Sequence, residues 1–98
     1  MEENVPVEFF KLGRFVNDDE LSREFKARGL TPDPYAVARV NEDDKAFADE
    51  HPNGTHWKDF DGKWCYLTCY RGDDERNVRV SRGGHGWDDD WWFGGVRK

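Results

Sequence analysis

The 98-residue chain predicts an α+β fold: one small domain over residues 1–98, with a mostly antiparallel sheet built from C-terminal hairpins and one or two short helices packed on one face. Three observations lead there. The length allows one domain at most. "VNDDELSREFKARGL", residues 16–30, carries the start and stop signals of one helix. From Thr55 onward the pattern changes to short apolar and aromatic runs separated by glycine-containing turns, the signature of hairpins.

Taken in order, "VPVEFFKLGRFV" is apolar enough to be buried and predicts a strand from Val7 to Leu12. In the helix, Asn17 is the cap and Glu20, three residues on, completes a capping box. Val16 before the cap and Leu21 at the fourth helical position form a hydrophobic staple. Asp18, Asp19 and Glu20 sit at the positive end of the helix dipole, and Arg23, Lys26 and Arg28 crowd its negative end. Gly29 supplies a left-handed stop, with Leu30 placed to fold back on Phe25. Leu21 and Phe25, one turn apart, give a narrow apolar stripe.

"TPDPYAVARV", residues 31–40, admits two readings. Asp33-Pro34 can open a helix, but Tyr35, Val37 and Val40 suit a strand, and a short strand is the preferred reading. "NEDDKAFADEHP" predicts a short helix capped at Asn41, with Ala46 and Phe47 inward and Pro52 past its end.

In "KDFDGKW" an Asp-Gly pair lies between two aromatic runs, the strongest short hairpin signal. With Asp61-Gly62 as a two-residue loop, Lys58 pairs with Cys65 and Trp57 with Tyr66. "GDDE", residues 72–75, reads as a four-residue loop that sets Cys69 opposite Val78 and Leu67 opposite Val80. Opposed residues share a face and successive ones alternate. One face then collects Phe60, Cys65, Leu67, Cys69, Val78 and Val80. The other collects Trp57, Trp64, Tyr66, Thr68, Tyr70, Asn77, Arg79 and Ser81. The first is the core side. The second is either an exposed interface or is covered by the tail "GWDDDWWFGGVRK", folding over it as a last strand.

Composition narrows the function. Hydrophobic residues make up 36% of the chain and charged residues 37%, but the 15% aromatic share supports a folded core, because each buried ring contributes a large area. The net charge is −6, and residues 1–56 carry all of it, with 7 Lys/Arg against 13 Asp/Glu. That half disfavours phosphate backbones and anionic membranes and favours basic partners. The N-terminus shows no secretory signal pattern, and no run reaches the roughly 18 apolar residues of a membrane span. Cys65 and Cys69, roughly 13 Å apart on one extended strand, cannot form a disulfide together. A cytoplasmic protein with two free thiols is expected.

No cofactor or metal is predicted. His51, His56, Cys65 and Cys69 superficially form a zinc array, but two thiols so far apart cannot meet one ion. "DFDGKW" departs from a calcium loop in its glycine position and in its twelfth residue, Tyr70. "WDDDWW" reads as a solvated acidic turn. A nucleophile beside a base is missing from the pattern. His85 in "GGHG" is the one histidine to test as an acid or base, and a surface turn residue is much the preferred reading. The chain is not expected to be an enzyme.

The function expected is non-catalytic protein binding. The chain would be an acidic module of the inhibitor, antitoxin or counter-defence kind that blocks a basic, nucleic-acid-facing surface of a larger partner. Trp57, Trp64, Tyr66 and Tyr70 with Arg79 would form its desolvated centre, and the acidic cluster Asp73, Asp74 and Glu75, with those at 18–20 and 42–44, would steer the encounter. The alternative is single-stranded nucleic-acid binding through the same rings and the arginines. A third possibility is self-assembly through the aromatic tail.

Overall fold

A computed structural model describes residues 6–44, 46–72, 75–82 and 86–97, with the backbone alone for residues 72 and 75–77. It contains β1 (Val7–Lys11), α1 (Asp18–Ala27), β2 (Thr31–Pro32), α2 (Pro34–Asp43), α3 (Phe47–Glu50), β3 (Asn53–Lys58), β4 (Trp64–Gly72), β5 (Glu75–Arg82) and β6 (Trp92–Val96). The sheet runs β1-β6-β3-β4-β5, with β2 paired to β6 as a short side branch. All pairings are antiparallel except that of β3 with β6. The fold is α+β, with a mostly antiparallel sheet in which the C-terminal strands dominate.

The helix signals around α1 act as read. Asn17 accepts from the Glu20 amide at 2.8 Å and Glu20 returns the bond to the Asn17 amide at 3.0 Å. At the other end Gly29 has φ of 68°, a conformation only glycine adopts without strain. Leu30 N–H then bonds Phe25 O at 2.9 Å and Gly29 N–H bonds Lys26 O at 3.0 Å. Those two bonds are the Schellman pattern. Val16, Leu21, Phe25 and Leu30 all enter one buried cluster.

Residues 34–43 form a helix, not the preferred strand. Asp33 caps it by accepting from Ala36 N–H at 3.1 Å, with Pro34 in the first turn. Val37 and Asn41, one turn apart, are its buried residues, while Tyr35 is almost fully exposed. The β-branched content misleads because burial at helical spacing outweighs intrinsic strand preference. Asn41 is therefore an interior residue of α2 and not the cap of a following helix. Ala46 is exposed at the cap of α3, and Ala48 is the residue that α3 buries.

The helices lie on both faces of the sheet, a correction to the one-sided arrangement expected. α1 packs with Tyr66, Trp87 and Phe93. α2 and α3 pack through Val37 and Ala48 on Leu67 and Cys69, whose side chains point the opposite way. The side chains of Cys65 and Cys69 are both buried on this second side. Val78 and Val80 share it, but stay 59% and 66% exposed because the helices stop short of β5.

The β4–β5 register matches the expectation, with Cys69 opposite Val78 and Leu67 opposite Val80, although the strands extend to Gly72 opposite Glu75. The β3–β4 register does not. Lys58 pairs with Trp64, Trp57 with Cys65 and His56 with Tyr66, one residue away from the Asp-Gly prediction. The cause is Asp59. Its carboxylate accepts from the amides of Asp61 at 2.9 Å and Lys63 at 3.0 Å, and its own N–H bonds Lys63 O at 3.0 Å. An Asp bonded to backbone ahead of it organises the turn, so the loop is residues 59–63 and Phe60 stands fully exposed at its tip. A one-residue slip moves every side chain of a strand to the other face. Trp57 therefore joins the α2/α3 side and His56 faces α1.

A reciprocal amide pair fixes α2 to β3. Asn41 and Asn53 exchange bonds of 2.8 and 3.0 Å, and their remaining donors reach Val37 O and His51 O. Asn41→Ala should destabilise the fold by about 1–3 kcal/mol, because it leaves Asn53 unpaired in the core. Phe60→Ser should change stability by less than about 0.5 kcal/mol. Chemical denaturation of the two variants measures both; a large loss with Phe60→Ser would contradict the observed register.

Candidate functional site

The register of β3 assembles a buried polar cluster between α1 and the sheet. Asp18, the first residue of α1, is only 6% exposed, and His56 and Tyr66 are 1% and 0% exposed. His56 Nδ1 lies 2.9 Å from Asp18 Oδ1. Trp87 Nε1–H donates to the same oxygen at 3.3 Å, and Tyr66 O–H donates to Oδ2. Trp87 is delivered by a bridge to Val16, with N–H···O bonds of 3.0 and 2.8 Å in the two directions. Gly54 makes room for it. A Cβ there would sit 2.4 Å from Leu67 O and 3.1 Å from the Trp87 ring.

The carboxylate is thus a triple acceptor at the positive end of a helix, where negative charge is favoured. Burial pushes the Asp18 carboxyl up, but the hydrogen bonds from His56, Tyr66 and Trp87 outweigh it and hold the group below the ordinary aspartate range. An ionised Asp18 requires the proton of a neutral His56 to reside on Nδ1.

The His56 ring is clamped between two others. Trp64 stacks on it at 4.2 Å and 14°, and Phe25 lies on the other side at 5.7 Å and 30°. Lys58 Nζ sits 4.9 Å above the Trp64 ring. Phe25, His56, Trp64 and Lys58 form a column from the core to the surface.

The predicted binding residues do not make one exposed face. Tyr66 is wholly buried on Asp18, Trp64 is half-buried on His56, and Tyr70 packs edge-on against Trp91. Trp57 is on the opposite side of the sheet, packed with the α2/α3 cluster. Arg79 is exposed on β5. Glu75 is the first residue of β5, described by its backbone; Asp73, Asp74 and His85 lie outside the described residues. In the acidic cluster at 18–20, Asp18 is a core residue, while Glu42, Asp43 and Asp44 are exposed. The aromatic tail divides in two: Trp87 seals the Tyr66 side, and Trp92 and Phe93 enter β6, between β1 and β3. Sequence reasoning missed the pairing of Asp18 with His56, which are 38 positions apart. The only signal was that His56 falls opposite Tyr66 if the hairpin loop is lengthened.

Comparison with protein-family models, curated proteins and solved structures finds no match for this chain. Among the described residues, no helix is long and apolar enough to cross a membrane.

Asp18 links stability to pH. Its folded value is depressed, so its contribution is fully present above the ordinary aspartate value near about 4 and is lost as pH falls through the lower folded value. Asp18→Asn should cost about 2–4 kcal/mol at neutral pH, because an amide presents a donor where three donors converge. The gap between wild type and variant should narrow on acidification below about pH 4. Urea titrations at several pH values measure it, and a gap constant with pH would contradict an ionised Asp18.

Proposed function

We propose that the chain is a non-catalytic, acidic protein-binding module, acting in the cytoplasm, that blocks a basic, nucleic-acid-facing surface of a larger protein in the manner of an inhibitor or antitoxin. The observation that carries this reading is the uncompensated acid on the surface. Glu42, Asp43 and Asp44 at the end of α2, and Asp88, Asp89 and Asp90 ahead of β6, are exposed. Among the described residues none of the six takes part in an ion pair. Such runs steer a basic partner and speed encounter more than they tighten the final complex. The net charge of −6 supports the same choice of partner, and two buried cysteines too far apart on one strand to bridge each other fit a reducing compartment.

The nucleic-acid alternative needs open rings on which bases can stack. Tyr66 is sealed in the core, and Trp64 and Tyr70 each use a ring face or edge on a neighbour. Arg79 alone does not replace that platform.

The test is competition. Purified basic nucleic-acid-binding enzymes are presented with a labelled oligonucleotide and rising amounts of this protein. Displacement from at least one enzyme is expected, with an association rate that falls about tenfold when Glu42, Asp43 and Asp44 are changed to Gln and Asn. The protein alone should not shift a single-stranded oligonucleotide at low salt. A shift there, or identical association rates for the neutralised variant, would contradict the proposal.

A further inference from the structure

β5 closes one end of the sheet, and among the described residues nothing pairs with its outer edge. We infer that this edge takes up an extended segment of another protein as an added strand, in which apolar side chains alternate with acidic ones. The surface differs from the acidic runs on α2 and ahead of β6, and the inference stands without the inhibitor reading.

Three observations carry it. First, β5 runs for 8 residues, Glu75–Arg82. An edge of that length offers a row of backbone N–H and C=O groups as a template for another strand. Second, Val78 and Val80 lie on the same face as Leu67 and Cys69 but beyond the cover of α2 and α3, and both are exposed. They carry the apolar surface of that face out to the place of a further strand, about 5 Å away. Third, Arg79 lies between them on the opposite face, exposed, and forms no ion pair among the described residues. Arg82, by contrast, is held by Asp59 and Asp61. The other end of the sheet offers no such strip. β1 has 5 residues, and its Phe9 and Phe10 are already packed on Phe47 and Phe25.

Charge selects the occupant. The sequence of β5, "ERNVRVSR", holds three arginines against one glutamate, so this edge is basic on a chain of net charge −6. A second copy of the chain fits it badly. In a symmetric antiparallel pair each face continues across the seam, and the register that sets Val78 against Val80 of the second copy is centred on Arg79. Two arginines then stand directly opposed, where like charges destabilise. Centring the pair on Val78 instead sets Val80 opposite Arg76 and breaks the apolar strip. A foreign strand with an acid opposite Arg79 and apolar residues opposite Val78 and Val80 satisfies both faces at once. The repulsion from the chain's other acids is screened beyond about 8 Å at physiological salt, whereas opposed side chains in a strand pair approach to about 5 Å. The arginines thus discourage pairing between copies and admit a complementary partner.

The experiment follows the backbone amides of the intact protein by NMR, at about 0.15 M salt, during titration with a synthetic threonine-rich peptide centred on Val-Glu-Val. Saturable shifts and slowed hydrogen exchange are expected from Val78 to Arg82, with β1 unaffected. The same peptide N-methylated at alternate backbone amides should not bind, because it has lost the donors that a strand edge requires. A Val-Lys-Val peptide should bind about tenfold more weakly, the scale of exchanging a favourable cross-strand charge pair for an unfavourable one. Arg79→Glu should keep the spectrum of the folded protein and reverse that preference. No saturable shift in β5, equal affinity for the N-methylated peptide, or an unchanged preference in the Arg79→Glu protein would overturn the inference. So would protection of β5 that rises with protein concentration in the absence of peptide, which would assign the edge to a second copy.

Discussion

One buried carboxylate decides how this chain is put together. Asp18 begins α1, and its two oxygens collect donors from β3, from β4 and from the segment that precedes β6. Removing a carboxylate from water is expensive unless its lone pairs are met. Every element that contributes a donor is consequently fixed in position relative to the others. The short apolar stripe of α1, Leu21 and Phe25, would by itself tolerate sliding over a flat aromatic surface. With Asp18 in place the helix has one site and one orientation.

On the other face the Asn41–Asn53 pair plays the same part for α2. Both polar devices meet β3, from opposite sides, through His56 and Asn53. β3 is also the strand where antiparallel pairing with β4 gives way to parallel pairing with β6. Its residues from Asn53 to His56 are all buried, so it is covered twice. The apolar look of β4 has the same origin: a strand under two layers has no solvent side. Where the helices end, over β5, the apolar side chains of Val78 and Val80 reach water.

Local signals were legible in the sequence. The capping box, the staple and the glycine stop of α1 involve residues within a few positions of one another, and each acts as its chemistry dictates. The β4–β5 register was legible too, because alternating Val78 and Val80 had to match Leu67 and Cys69. The β3–β4 register was not. Asp61-Gly62 is a strong turn signal, but the carboxylate of Asp59 competes for the same backbone amides and wins a longer loop. The difference of one residue exchanges Trp57 for His56, and with it a supposed aromatic surface for a polar core. α2 was obscured for a related reason: the value of Val37 and Asn41 at helical spacing depends on the sheet beneath them.

The whole arrangement depends on His56, not Trp57, facing α1 and donating its Nδ1–H to the Asp18 carboxylate. Long-range ¹⁵N–¹H correlation of the histidine side chains, with nuclear Overhauser contacts, tests this on the intact protein. The predicted result is a slowly exchanging Nδ1–H on His56, with ring contacts to both Phe25 and Trp64. A His56 protonated on Nε2 alone, or Trp57 in contact with the Tyr66 ring, would contradict it.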